Sequence, residues 1–403
     1  MTKAMHIGIA GAGLLGRLLA WHLSQVGHRV SVFDPATGPQ SVPRSQAPDP
    51  YVPTAAAFTA AGMLSPLAEL DNAEPAVAAL GWRSLALWPQ IAAALPEAPK
   101  VQVGGSLLVA HRADLGAAQR VLNRLQSATA TPEWRAASPA EGVQPLEMTA
   151  LRALEPSIQG PSHAWLLPGE GFIDTVAMMA ALYAGAVDVD WHWGQRVLTV
   201  EAGEGGGTLR LADGRALAFD VVVDVRGVGA GLLPLPPAGE GRGVGGRANS
   251  LYVRGVRGEV VWLDCPGHGL TCPVRLLHPR HRVYIVPRTA RDVLVGASEI
   301  ESEDRSPASL RSVVELLAAA HSVVPALAEA RILKLDVNLR PALPDNGPLV
   351  QHAPHLLRIN GLFRHGWLLA PALVQDALRA MEIDLLTPLR GDAVLTFQTI
   401  AGG

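Results

Sequence analysis

The sequence predicts an α/β fold in which two domains interleave along the chain. Three observations predict it. The chain opens on a strand, a glycine turn, a helix and a second strand, HIGIAGAGLLG to RVSVFD. A buried parallel-type strand recurs at Phe219–Val225, FDVVVDV, and βα signals return near the C-terminus. Between these lie short alternating strands of meander type, which belong to an antiparallel sheet.

Met5–Ala10 is a short apolar run ahead of the turn, as a buried strand requires. Leu14–Val26 carries Leu14, Leu15, Leu18, Leu19 and Leu23 at helical spacing and stops at Gly27. Arg29–Asp34 completes a βαβ unit with a right-handed crossover. Thr37–Pro53 is rich in Pro, Ser and Gln and reads as a loop. Helices are predicted at Asn72–Leu95, Ala113–Ser127, Gly171–Ala186 and Pro307–Ala320, with a helical turn at Thr149–Leu154. Gly104–Ala110, Val197–Val200, Thr208–Leu211, Glu259–Leu263, Arg282–Val286 and Asp292–Val295 read as strands, with a hairpin turn at Ala212–Arg215. Asn338–Leu349 and Leu357–Phe363 lead to a last helix at about Ala370–Glu382, with Pro371 in its first turn.

Composition excludes several functions. The chain has 403 residues, 49% of them hydrophobic, enough for two cores. Lys and Arg number 33 against 36 Asp and Glu, with no basic stripe, so no nucleic-acid partner is expected. No apolar run approaches the roughly 18 residues of a membrane-spanning helix, and no signal peptide is read at the start, so the expected location is cytoplasmic. Cys265 and Cys272 stand in no zinc or redox spacing, and no metal is expected.

Gly11, Gly13 and Gly16 form GxGxxG between a strand and a helix, and Asp34 ends the next strand about 20 residues on. Gly11 permits the tight turn, Gly13 lets the backbone approach a pyrophosphate, and Gly16 lets the helix pack on the strand. The helix N-terminus offers N–H groups to the phosphates, and Asp34 can accept from a ribose hydroxyl. This pattern serves FAD and NAD alike.

Four further segments carry more. They are AAGMLSPLAE at Ala60–Glu69, LLPGEGFIDT at Leu166–Thr175, RVYIVPRTARDVLVGA at Arg282–Ala297, and the tail LRPALPDNGPLV…LFRHGWLLAP. With the glycine turn they resemble the D-amino-acid oxidase superfamily of flavoproteins, and within it the glycine oxidases of thiamine biosynthesis. The resemblance spans nearly the whole chain. It implies a Rossmann-like FAD-binding domain, residues 1–85, 150–230 and 335–403, interleaved with an antiparallel-sheet substrate domain, residues 86–149 and 231–334. It further implies FAD contacts at Gly11, Gly13, Leu14, Leu15, Gly16, Asp34, Ala61, Gly62, Met63, Val197, Leu362, Phe363, Arg364, His365, Gly366, Trp367 and Leu368. Arg340 is similar to the family's carboxylate-binding arginine, Tyr284 to the tyrosine lining the same site, and Arg364 to the arginine beside the flavin ring.

The chemistry suits those residue types. A guanidinium meets a carboxylate with two parallel hydrogen bonds, which lysine does not reproduce. By residue type alone Arg340 reads equally as a surface ion pair, and Tyr284 as a packed strand residue. His365 reads as a base or, since the implied hydride mechanism needs none, as a loop-forming residue. Glu299 stands where some glycine oxidases have an apolar residue, and matters only if it faces the pocket.

The resemblance implies FAD-dependent oxidative deamination of glycine or a small amino acid, giving an imine and then a 2-oxo acid, ammonia and hydrogen peroxide, with a role in thiazole synthesis for thiamine. Oxygen is the expected acceptor, and a homo-oligomer is common in the family. Sister activities are a D-amino-acid dehydrogenase and an N-methyl amino acid oxidase. From other classes come a non-catalytic flavin-binding partner protein and an NAD-dependent dehydrogenase, the latter matching only the first 34 residues. Sarcosine oxidases hold flavin through a cysteine near the tail; Cys265 and Cys272 lie too early, so FAD is expected to be non-covalent.

Overall fold

The computed structural model describes residues 4–39, 54–130, 142–234, 250–278 and 282–386. Most of the expected Thr37–Pro53 loop lies outside them. Two large sheets organise the rest.

The first has six strands in the order Leu349–Ala353, Leu356–Asn360, Val221–Asp224, His6–Ala10, Arg29–Asp34 and Val189–Trp193. All pairs are parallel except the Leu349–Ala353 edge. Ile7, Ile9, Val30, Val32, Val223 and Ile359 are buried in this sheet, because helices cover it. The helices Leu14–Gln25, Pro75–Ala94, Thr175–Gly185 and Gly366–Ala380 supply that cover.

The second sheet has eight strands in the order Arg331–Ala342, Arg254–Asp264, Asp292–Gly296, Arg282–Pro287, Val274–Leu277, Ser106–Ala110, His163–Leu167 and Gln144–Leu146. It is antiparallel apart from the Val274–Leu277 and Ser106–Ala110 pair. The helix Leu310–Val323 packs on one face over Val261, Leu276, Val283 and Ile285. Strand alternation then sends Arg275, Tyr284 and Arg340 to the other face, together with Gly258, Val260 and Trp262. His163–Leu167 hydrogen-bonds within this sheet although its residues fall in a stretch expected in the flavin domain, so sheet membership departs there from the expected division.

Several elements differ from the sequence expectation, the strands His163–Leu167 and Val274–Leu277 among them, and three differences bear on the frame of the site. Gly171–Ala186 is a strand, Gly171–Ile173, followed by a helix starting at Thr175. Asp174 divides them: its carboxylate accepts from the N–H groups of Val176 and Ala177 and caps the helix. Val189–Trp193 is an edge strand that the sequence reading left out. The last helix begins at Gly366, not Ala370, which places Pro371 in its interior. A proline there leaves the carbonyl four residues back without its helical donor. That carbonyl belongs to Trp367, and the Trp88 indole donates to it at 2.8 Å.

Candidate active site

A cavity of about 1280 Å³ lies between the two sheets. Two helix N-termini open onto it, those of Leu14–Gln25 and Gly366–Ala380, and neither receives a side-chain cap. At Gly13 the nearest atom to an added Cβ is 3.9 Å away, and at Gly366 nothing lies within 4 Å. Free N–H groups, positive dipole ends and open space are what an anionic dinucleotide requires. Gly11 has φ 108°, and a side chain there would strike Val225 O at 2.7 Å. Asp34 accepts from the Ala12 and Ala36 N–H groups at 2.7 and 2.8 Å, so its carboxylate fixes the turn as well as facing the cavity.

Every residue expected to touch cofactor lines this cavity except Gly16. Gly16 is a packing position: a Cβ there would stand 1.9 Å from Gly11 O. Arg340, Tyr284 and Arg364 line the same cavity, and neither cysteine is in its wall. Among the described residues no cluster of metal-ligating side chains occurs. No helix there is long and apolar enough to cross a membrane.

Arg340 lies flat over Gly258 of the neighbouring strand, where a Cβ would meet the guanidinium at 2.6 Å. Its Nη1 and Nη2 donate to Ser298 O at 3.1 Å, and Nη1 also to Arg257 O at 3.3 Å. Among the described residues no carboxylate stands within ion-pair distance of it. Burial lowers its pKa, and the neighbouring Tyr284 opposes that. Tyr284 crosses Gly296, its register partner, and burial raises its pKa against the pull of Arg340, Arg275 and Arg364.

The neighbouring cations Arg275 and Arg364 are already paired, with the His365 imidazole beside them. Glu69 takes Arg275 at 3.0 Å, Arg364 Nε at 3.3 Å and His365 Nδ1 at 3.5 Å. Burial works to raise the Glu69 pKa, but Arg364, Arg275 and His365 outweigh it and hold the carboxyl down at about 2. Arg364 also reaches Glu299 at 3.5 Å. Burial depresses its pKa, yet Glu69 and Glu299 prevail and raise it. His365 is buried, its pKa is lowered by that burial, and its N–H to Leu362 O at 2.8 Å shapes the loop before the helix. On the far side of Arg275, the fully buried Glu170 accepts from Ala68 N–H at 2.8 Å and from Ser106 Oγ at 2.5 Å. Burial pushes it up to about 7, against Arg275.

Glu69, Arg275 and Glu170 were not singled out from sequence. A signal existed for Arg275, a lone charge inside the apolar CPVRLL run, since an unpaired charge is almost never buried.

The sequence profile of the DAO family, described as FAD dependent oxidoreductase, matches residues 6–375. The chain belongs to this family. A provisionally named thiamine biosynthesis oxidoreductase, ThiO, of Rhizobium etli is 35% identical over 388 residues, covering 96% of this chain and 99% of its own length. The glycine oxidase of Geobacillus kaustophilus is 27% identical over 401 residues, 95% of each chain. A crystal structure of glycine oxidase from that organism superposes with a TM-score of 0.73 at 23% identity, over 96% of this chain and 98% of the other. That of an iminodiacetate oxidase from Chelativorans sp. BNC1 gives 0.72 at 21%, over 95% and 97%. Both structures show the fold.

Membership makes FAD the cofactor and the protein an oxidoreductase acting on CH–NH donors, and removes the NAD-dependent reading. The residues present fit that cofactor: the two uncapped helix ends and the open space at Gly13 and Gly366 form a cradle along one cavity.

Proposed function

We propose that this enzyme oxidises glycine or another small amino acid, with dioxygen as electron acceptor. The net reaction consumes amino acid, dioxygen and water, and yields a 2-oxo acid, ammonia and hydrogen peroxide. The observation that carries this reading is the pairing state of Arg340. It is fixed by backbone carbonyls on the cavity wall, next to Tyr284, with no carboxylate at ion-pair distance among the described residues. Its neighbours Arg275 and Arg364 are both committed to Glu69.

FAD, held non-covalently, supplies the hydride acceptor when bound. The protein's part is position and electrostatics. Gly11, Gly13, Leu14 and Leu15 at the first helix end would hold the pyrophosphate, and Gly62, Met63 and Val197 line the same cavity. Leu362 to Leu368 and the last helix end would hold the ring, and the positive potential of that helix end would favour negative charge there. Arg340 would grip the substrate carboxylate, the Tyr284 hydroxyl would add a hydrogen bond, and Arg364 would help hold the cofactor. No residue is required as a base, and His365 serves the loop. The likeness to ThiO and to glycine oxidase supports glycine as substrate and a product destined for thiazole synthesis.

The test is Arg340→Lys, which keeps the charge and loses the parallel bonds. Titration of the holoenzyme with glycolate, a non-reacting carboxylate, is expected to show binding weaker by about 10- to 100-fold, the loss of a charge-assisted bond of roughly 1.5–3 kcal/mol. Undiminished binding would remove Arg340 as the anchor.

A further inference from the structure

Glu299 directly follows Ser298, whose carbonyl oxygen accepts two N–H groups of Arg340. The anchoring guanidinium and the Glu299 carboxylate are therefore neighbours on one stretch of cavity wall, and both face the cavity. The Glu299 side chain is 49% exposed, which places it toward the mouth. Arg364, 3.5 Å from it, is its ion-pair partner. On its other side Arg364 has Glu69, but that carboxylate is already shared with Arg275 and His365. Glu299 thus completes the neutralisation of Arg364. Of Arg275, Arg340 and Arg364, which stand together on this wall, Arg340 is the one with no carboxylate at ion-pair distance among the described residues, and beside it stands a carboxylate that repels a second anionic group.

We propose that Glu299 sets the charge selectivity of the site, admitting amino acids with a single carboxylate and turning away those with two. It does so by occupying Arg364 and by like-charge repulsion, a repulsive device of the kind specificity commonly needs. Substrates neutral or cationic beyond the α-carbon pass. The proposal rests on Arg340 being the carboxylate anchor. The pair with Arg364 is long and half-exposed, so it contributes little to the fold, and its removal acts on the ligand.

The experiment compares equilibrium binding of glycolate and malonate to the holoenzyme, followed by calorimetry, in wild type, Glu299→Gln and Glu299→Ala. The expected result is a rise of about tenfold or more in the malonate-to-glycolate affinity ratio in both variants, equivalent to about 1.4 kcal/mol. A ratio unmoved in both variants, with glycolate binding still weakened by Arg340→Lys, overturns the selector and leaves the anchor standing. Glycolate binding indifferent to Arg340→Lys overturns the anchor and this proposal with it.

Discussion

Gly258→Ala adds one methyl group at the floor of the carboxylate site. That methyl would stand 2.6 Å from Cζ, Nη1 and Nη2 of Arg340, whereas ordinary contact begins at 3.4 Å. The guanidinium must therefore retreat by about 0.8 Å, the difference of those two distances. Its bonds to Ser298 O, now 3.1 Å, would stretch past hydrogen-bond length if the retreat runs along them. The backbone has no reason to resist: Gly258 is not among the positive-φ residues, and what the methyl meets is the end of a flexible side chain. Alanine is also less costly than glycine in a strand, so stability should change by less than about 1 kcal/mol. Misplacement of a positioning group by ~1 Å costs on the order of 10²-fold in rate. The expected outcome is a fall in kcat/KM for glycine of about 10- to 100-fold, with FAD content and melting temperature retained. Steady-state peroxide release and thermal denaturation of the holoenzyme measure both. Wild-type kcat/KM in a variant of unchanged stability would refute the idea that Arg340, pinned against this strand, holds the substrate.

Three other outcomes are expected. Glu170, with a folded pKa of about 7 against an ordinary 4.5, gives stability that is full below about pH 4.5 and is lost as pH rises through about 7. Glu170→Gln should remove that slope, worth up to ~3 kcal/mol, and urea denaturation of both proteins between pH 4.5 and 8 would show it; parallel curves would mean that Glu170 stays charged throughout. Trp88→Phe should cost about 1–3 kcal/mol by leaving the Trp367 carbonyl without its donor beside Pro371, again by urea denaturation, and no loss would undo that account of the interior proline. Acid precipitation should leave the yellow colour in solution, because neither Cys265 nor Cys272 lines the cavity; colour retained in the pellet would show a covalent flavin.

What was legible in the sequence followed from chemistry that few residue types perform. The glycine turn could be placed because only glycine fits beside Val225 O and Gly11 O, and the two sheets because apolar runs and alternation mark parallel and antiparallel strands differently. Arg340, Tyr284 and Arg364, far apart in sequence, stand on one cavity. Glu69 and Glu170 were not legible, since their meaning lies in Arg275, whose lone charge in an apolar run was the one signal: a buried carboxylate becomes acceptable only beside cations that other strands deliver. The start of the last helix was misplaced because a proline usually marks a first turn, and here Trp88, almost 280 residues earlier, satisfies the carbonyl that makes an interior proline tolerable. The sequence places the start of the Thr175–Gly185 helix too early, at Gly171, because a continuous run of small and apolar residues hides the cap at Asp174.

A flavin in this cavity that oxidises a small amino acid gripped by Arg340 has a spectral signature. The visible spectrum of the purified protein, mixed without air with glycine and then with a panel of D-amino acids, tests it most directly. The expected result is a flavin band that glycine or another small amino acid bleaches, with hydrogen peroxide appearing when air is readmitted. A flavin band that no amino acid bleaches would contradict it.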